Sequence, residues 1–122
     1  MTIEMTSNLY VKSVATVAEL FIKIGFVEIQ RMSVGTSETI VLAPDIDGNA
    51  RIQLWDIAFI RENSPEVADS KPSIAFSVHD LAAMHAKVAA AMPIYGEIQT
   101  VNGRSSFYFA VEDDQYFAFL EA

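Results

Sequence analysis

The spacing of apolar residues along the chain predicts an early strand followed by an amphipathic helix. The strand ends with the segment 9–11, and Ser13 after it is a suitable N-cap residue. Apolar residues then recur at positions i, i+3, i+4 and i+7, namely at Val14, Val17, Ala18 and Phe21. Gly25 is a suitable stop for this helix. The helix is therefore expected to pack one face against neighbouring strands.

Three strand-like segments follow the helix, at 26–32, 39–42 and 51–59. A turn containing Gly35 separates the first two segments, and Asp47-Gly48 lies in the turn before the third. If these turns close hairpins, the three strands are mutually antiparallel. The next segment, 61–71, is polar and lacks apolar periodicity, which indicates a connector.

The same order of elements then begins again. A strand at 73–78 leads to Asp80, a strong N-cap candidate, and Pro93 ends the helix that follows. The apolar stripe of that helix is Leu81, Met84, Val88 and Met92. The remaining elements are an extended piece at 95–101, a turn at Asn102-Gly103, and strands at 105–111 and 116–121.

This repetition predicts an α+β fold made of two βαβββ repeats. The segments 11–14 (VKSV) and 78–81 (VHDL) each hold a strand end, a cap and a first apolar helix residue. We predict a single domain over 1–122, with repeat halves at about 5–60 and 72–122. One helix covers only one face of each mixed sheet, so the two remaining faces are expected to form a cleft.

The stretch 10–14 (YVKSV), which runs through a helix into 24–26 (IGF), resembles the opening of vicinal oxygen chelate proteins. This is the glyoxalase/bleomycin resistance protein/dioxygenase superfamily. The stretch 73–81 (SIAFSVHDL) is similar to the repeated strand-into-helix signature of the same superfamily. The resemblance covers nearly the whole chain, and it implies the duplicated fold described above.

The resemblance also implies where a metal would be held. In metal-dependent members the ligands come from four strand positions, which correspond here to Thr6, Gln53, Ser73 and Phe119. Only Gln53 is a plausible ligand, and a divalent catalytic metal normally needs about three protein donors. We therefore predict no metal and no cofactor.

Other reactive side chains are scarce. The chain has no cysteine and two histidines, one beside the second helix cap and one within that helix, His79 and His85. Both are expected to lie on the side of the sheet away from the cleft. We nominate no catalytic residue.

Strand alternation predicts which side chains line the cleft. If Leu9 and Leu54 pack under the first helix, the residues that alternate with each of them along its own strand face away from that helix. In the last strand, Ala118 and Leu120 are expected on the helix side. The predicted ligand-binding residues are Asn8, Tyr10, Arg51, Gln53, Trp55, Ser73, Ser77, Phe119 and Glu121. They describe an aromatic-lined cavity with a few polar groups, unless rings such as Trp55 fill the space instead.

Composition narrows the possible partners. A net charge of −8 repels phosphate backbones and anionic lipids, so nucleic acid and membrane partners are not expected. The chain has no long apolar run and no signal-peptide pattern at its first residues, and we expect it in the cytoplasm. The resemblance implies association in pairs, and we predict a homodimer.

The leading functional hypothesis is a metal-independent small-molecule-binding protein of the bleomycin-resistance type, such as one that confers antibiotic resistance by sequestering its ligand. Two alternatives stay open at this point. One is a metal-dependent lyase, isomerase or dioxygenase similar to glyoxalase I, and the other is a dimeric, non-catalytic interaction module. Whether the chain is an enzyme is not decided by its sequence.

Overall fold

Each half of the chain folds around one mixed sheet with a helix against it. The computed structural model describes residues 3–122, and its contacts divide the chain into a unit that ends at Pro72 and a unit that begins at Ser73. Both units contain a parallel strand pair, antiparallel hairpins and helix, which confirms the predicted α+β class.

The first unit has a four-stranded sheet in the order β1-β4-β3-β2. Strand β1 is parallel to β4, whereas β2, β3 and β4 are antiparallel, as the turn pattern predicted. The elements are β1 (Met5–Val11), α1 (Val14–Lys23), β2 (Val27–Val34), β3 (Ser37–Ala43), β4 (Ala50–Asp56), α2 (Ile57–Asn63) and a short 3-10 helix (Pro65–Val67).

Helix α1 forms where the apolar spacing predicted it. Ser13 is its N-cap, and its hydroxyl accepts a hydrogen bond from the backbone N–H of Thr16 at 3.4 Å. The helix ends at Lys23, and Gly25 follows with φ +111°, a conformation that glycine adopts without steric cost. The four apolar residues of the predicted stripe are buried. They pack with the apolar residues of the sheet, namely Leu9, Val11, Ile40, Leu42, Ile52 and Leu54.

The strand predicted at 51–59 is too long. Strand β4 ends at Asp56, whose carboxylate accepts a hydrogen bond from the N–H of Ala58 at 2.8 Å and thereby caps α2. The predicted connector at 61–71 holds the end of α2 and the 3-10 helix. The apolar run after Asp56 fits a strand or a helix equally well, so its periodicity could not reveal the change.

The second unit repeats the topology with a shorter set of edge strands. Its elements are β5 (Ile74–Val78), α3 (Leu81–Ala91), β6 (Ile94–Tyr95), β7 (Gln99–Val101), β8 (Arg104–Val111) and β9 (Gln115–Glu121). The sheet order is β5-β9-β8-β6, with β7 also paired to β8, and β5 is parallel to β9. Asp80 caps α3 by accepting from the N–H of Ala83 at 3.0 Å. The extended piece predicted at 95–101 is two short strands.

The core of the second unit is built from phenylalanine rings that the strand register brings together. Phe119 pairs with Phe107 on β8 and with Phe76 on β5, and the ring centroids lie 5.6 Å and 5.4 Å apart. His85 of α3 meets Phe107 edge-on with a centroid distance of 4.8 Å. Helix α3 therefore covers this face of the sheet.

This arrangement corrects the predicted orientation of β9. Phe119, expected to face a cleft, is 2% exposed in the core beneath α3, and Ala118 and Leu120 occupy the opposite face. The residues 116–120 are apolar in both alternation phases, so their pattern does not fix which face is buried. The space beneath α3 accepts the large rings and decides the phase.

The helices are short, with 10 residues in α1 and 11 in α3. Between residues 3 and 122, no helix combines the length and the apolar character needed to cross a membrane.

Candidate functional site

The face of the first sheet that is turned away from α1, here called the first distal face, gathers five of the predicted ligand-binding residues. The parallel register of β1 and β4 sets them in rows, with Asn8 opposite Gln53 and Tyr10 opposite Trp55. Arg51 lies one row further along, opposite Thr6. Their neighbours in the alternation, such as Leu9 and Leu54, are fully buried. The predicted orientation of these five side chains is confirmed, and their contact with a ligand stays a prediction.

A chain of hydrogen bonds holds the polar residues of the first distal face. The Trp55 Nε1–H donates to Asn8 Oδ1 at 3.1 Å. The Gln53 Nε2–H donates to Thr39 Oγ1 at 2.9 Å, and that hydroxyl donates to the Leu54 carbonyl oxygen at 2.9 Å. Both amide side chains are therefore fixed before any ligand arrives, which lowers the entropy cost of binding.

Thr39 was missed by the sequence reasoning. It is 1% exposed and lies on β3 opposite Trp55. Its segment was correctly predicted as a strand, but the register against β4 that places it beside Gln53 is not visible in the sequence. The length and type of the turn between β3 and β4, if known, would have fixed this register.

The indole of Trp55 is half-buried and lies against a ring from α2. Its plane is nearly parallel to that of Phe59, with an interplanar angle of 10° and a centroid distance of 6.3 Å. Phe59 in turn approaches Gly35 at the β2–β3 turn. Phe59 was missed because β4 was predicted to continue through it. The stacking gives the first distal face an aromatic wall at the end of β4.

Arg51 is engaged by its own turn and does not offer a free cation. Its Nη1 donates to the carbonyl oxygens of Gly48 at 2.9 Å and Ala50 at 2.8 Å. Its Nη2 lies 3.4 Å from a carboxylate oxygen of Glu4. The guanidinium therefore closes the β3–β4 connection, and we leave it out of the proposed binding residues.

The other predicted residues belong to the second unit. Ser77 lies on the face of its sheet that is turned away from α3, here called the second distal face, and the exposed Ser73 precedes β5. Glu121 is exposed at the end of β9, in register with Val78 and on the α3 side by alternation. Phe119 is in the core. The structure thus brings only the two serines to positions consistent with the predicted orientation.

The second distal face carries a groove that the sequence reasoning missed. Its volume is about 270 Å³, and one wall is formed by Tyr108, a residue that is 48% exposed. The lining residues are Glu97, Gln99, Ser106, Phe107, Tyr108 and Ala118. Strict alternation along β8, with Phe107 and Phe109 inward, predicts the outward position of Tyr108, so this signal was present.

The donor set does not fit the metal site that the resemblance implies. Thr6 offers a neutral hydroxyl, Phe119 has no donor atom, and the distal positions beside it are Ala118 and Leu120. No group of three or more His, Asp or Glu side chains that could hold a metal occurs among residues 3–122. We derive no chemical step through a metal.

The histidines have structural surroundings. His79 is exposed next to the α3 cap, and His85 lies within α3. His85 Nε2 is 2.9 Å from the carbonyl oxygen of Gly96 and 3.8 Å from a carboxylate oxygen of Glu97. This contact holds the segment between β6 and β7 against α3.

An exposed ion-pair cluster marks the edge of the first sheet. Arg31 on β2 donates to Glu28 at 2.9 Å and to Glu38 at 3.3 Å. The hydrogen bond from Arg31 holds the pKa of the Glu28 carboxyl below its ordinary value, and the same bond raises the pKa of Arg31. Arg31 and Glu28 are on the edge strand β2 and Glu38 is on the adjacent strand β3, whereas Asn8 and Gln53 are on β1 and β4.

No protein-family model matches the sequence, and no curated protein matches it. Solved structures do match. A superfamily member from Sphaerobacter thermophilus aligns over 100% of this chain and 98% of its own, with a TM-score of 0.78 and 11% identity. TnmS3, an antibiotic binding protein from Streptomyces sp. CB03234, aligns over 99% and 96%, with a TM-score of 0.78 and 10% identity.

A third similar structure is a bleomycin-binding protein complexed with bleomycin. It aligns over 100% of this chain and 99% of its own, with a TM-score of 0.69 and 13% identity. Identities this low establish the fold alone. The chain has the fold of the glyoxalase/bleomycin resistance protein/dioxygenase superfamily, as the resemblance in its sequence predicted.

Proposed function

We propose that the chain is a metal-independent small-molecule-binding protein of the bleomycin-resistance type, whose ligand lies against the first distal face. One observation carries the proposal: the hydrogen-bonded row of Asn8 and Gln53 adjoins the row of Tyr10 and Trp55. Aromatic surface with a few fixed polar groups beside it is the usual composition of a small-molecule site.

The row of Tyr10 and Trp55 supplies the affinity in this proposal. A planar ligand that covers about 100 Å² of apolar ring surface gains roughly 2.5 kcal/mol from its removal from water. The polar row adds orientation at little entropic cost, because Asn8 and Gln53 are already held by Trp55 and Thr39. Ser73 and Ser77 stay predicted contacts.

The similar structures support the same class of function. One is an antibiotic binding protein and another is complexed with bleomycin. Binding requires shape and anchors and no metal chemistry, so the missing donors at the implied metal positions do not weaken the proposal.

The chain contains one tryptophan, so its intrinsic fluorescence reports directly on the proposed site. We expect a saturable change in Trp55 emission when the protein is titrated with a panel of metal-free bleomycin and neutral planar aromatic compounds. Absence of a saturable change with every compound, together with an unchanged melting temperature, would contradict the proposal.

A pair of variants locates the site for any compound that binds. Gln53→Ala removes a fixed anchor and should weaken binding by up to about tenfold, since one hydrogen bond contributes about 0.5–1.5 kcal/mol net and about 1.4 kcal/mol corresponds to a factor of ten. Glu19→Ala, on the exposed side of α1, is the control and should leave the dissociation constant unchanged. Calorimetry measures both. Equal affinity in the two variants would place the ligand elsewhere.

We further propose that the chain forms a homodimer. Exposed apolar side chains on the edge strand β2, namely Val27, Ile29 and Met32, support this proposal. Light scattering coupled to gel filtration should give twice the chain mass of 13.5 kDa across a tenfold range of concentration. A mass of one chain throughout that range would refute it.

A further inference from the structure

The hydrogen bonds of the first distal face fix the polarity of its two amide side chains. An indole N–H is only a donor, so the Asn8 atom 3.1 Å from Trp55 Nε1 must be the side-chain oxygen. The NH₂ group of Asn8 is the end that remains. Among residues 3–122, this group has no hydrogen-bond partner.

The polarity of Gln53 is fixed by the same logic, one bond further away. Thr39 has a single hydroxyl hydrogen, and the Leu54 carbonyl oxygen 2.9 Å away can only accept it. Thr39 Oγ1 can therefore only accept a hydrogen bond from Gln53, so the NH₂ group of Gln53 must be the end that faces Thr39. The Gln53 carbonyl oxygen is the end that remains, and it too has no partner within residues 3–122.

The two residues that carry these free ends are neighbours in the sheet. Asn8 and Gln53 are direct partners on parallel strands, with backbones about 4.8 Å apart, and alternation places both on the first distal face. The same face thus carries one free donor and one free acceptor on neighbouring residues. The next row along the strands, about 6.6 Å away, holds the rings of Tyr10 and Trp55.

We propose that this pair selects planar ligands that carry a carbonyl group and an N–H group on adjacent atoms, that is, aromatic carboxamides and lactams. The inference rests on the proposed function and names its ligand class. The ligand carbonyl accepts from Asn8, and the ligand N–H donates to Gln53. A carboxylate presents two acceptors and leaves the Gln53 oxygen opposite another acceptor. A tertiary amide leaves the same oxygen without a donor.

Three naphthalene probes of equal ring area separate these cases. We expect calorimetry to show saturable binding of 2-naphthamide, with 2-naphthoate and N,N-dimethyl-2-naphthamide each bound at least tenfold more weakly, since each leaves Gln53 unsatisfied. The Trp55 indole cross-peak in a ¹H–¹⁵N correlation spectrum should move with 2-naphthamide. Equal affinities for the amide and the carboxylate, or no saturable binding of 2-naphthamide, overturn the proposal.

The variant Asn8→Asp reverses one half of the pair. One carboxylate oxygen keeps the bond from Trp55, and the other presents an acceptor where Asn8 presents a donor. Preference should therefore shift from 2-naphthamide to 2-naphthamidine, whose two N–H groups match two acceptors. Asn102→Asp adds the same charge in an exposed turn of the second unit and should leave the ratio of the two affinities unchanged.

The outcomes separate this inference from the function on which it rests. A shift in Asn102→Asp as large as in Asn8→Asp means that net charge sets the preference, which overturns the pairing. Should Asn8→Asp fail to fold, the comparison of probes on the unmodified protein still decides. Binding of other compounds at Trp55 without a preference for amides refutes the ligand class alone. Absence of binding by every compound of the panel refutes both the ligand class and the proposed binding function.

Discussion

Thr39→Val removes the hydroxyl that orients Gln53 while keeping the shape of the side chain. Two hydrogen bonds of 2.9 Å are lost, one from Gln53 and one to the Leu54 carbonyl. At about 1 kcal/mol net for each bond, the free energy of unfolding should fall by about 2 kcal/mol. For a chain of 122 residues, about 4 °C of melting temperature corresponds to each kcal/mol, so the midpoint should fall by about 8 °C.

A double-mutant cycle isolates the bond between Thr39 and Gln53. Thr39→Val, Gln53→Ala and the double variant are unfolded in urea, with circular dichroism and Trp55 fluorescence as probes. The coupling energy should be about 1 kcal/mol, because either single change already breaks the bond. Thr100→Val alters an exposed hydroxyl on β7 and should change stability by less than about 0.5 kcal/mol.

Additivity would refute the reasoning. If the double variant loses the sum of the two single losses within about 0.3 kcal/mol, the two side chains do not interact. The polarity assigned to Gln53, and the ligand class inferred from it, would then lose their basis.

Three further predictions concern other parts of the molecule. Phe119→Ala should lower the free energy of unfolding by about 3–5 kcal/mol in chemical unfolding, because the ring is in the core. Near-native stability together with weakened ligand binding would show instead that Phe119 contacts the ligand. Gly96→Ala forces the Tyr108 ring to move and should lower the melting temperature by a few degrees, about 1 kcal/mol, a loss that the added change Tyr108→Ala should reverse. Arg31→Ala should raise the pKa of Glu28 toward its ordinary value in a carboxyl NMR titration, because the hydrogen bond from Arg31 lowers that pKa. The pair stabilises the fold at pH values above the ordinary pKa and stops doing so as the pH falls through the lowered pKa. An unchanged pKa of Glu28 in the variant would show that no bond exists.

The periodicity of the sequence was sufficient for α1, α3 and most strands. Ser13 and Asp80 are caps that the chain carries locally, and the stripes of α1 and α3 need no distant partner to be recognised. The first distal face was also predictable. In β4, Ile52 and Leu54 alternate with Arg51 and Gln53, so burial of Leu54 requires that Gln53 and Trp55 point the other way.

Prediction from the sequence was wrong where apolar residues occupy both alternation phases of a strand, or where one segment fits a strand and a helix equally well. In β9, rings and aliphatic residues alternate with one another, and only the register with Phe76 placed Phe119 beneath α3. After Asp56, the cap turned an apolar run into α2, which placed Phe59 beside Trp55. Neither outcome follows from hydrophobicity, which is equal for both choices.

The amino-acid sequence by itself determined the repeat, the helix stripes and which polar side chains leave the first core, since these follow from local periodicity. Only the tertiary structure decided that Thr39 lies beside Gln53 and Asn8 beside Trp55, because strand register joins residues distant in the chain. The direction of each hydrogen bond then depended on those neighbours. The donor and acceptor on the first distal face are properties of the folded sheet.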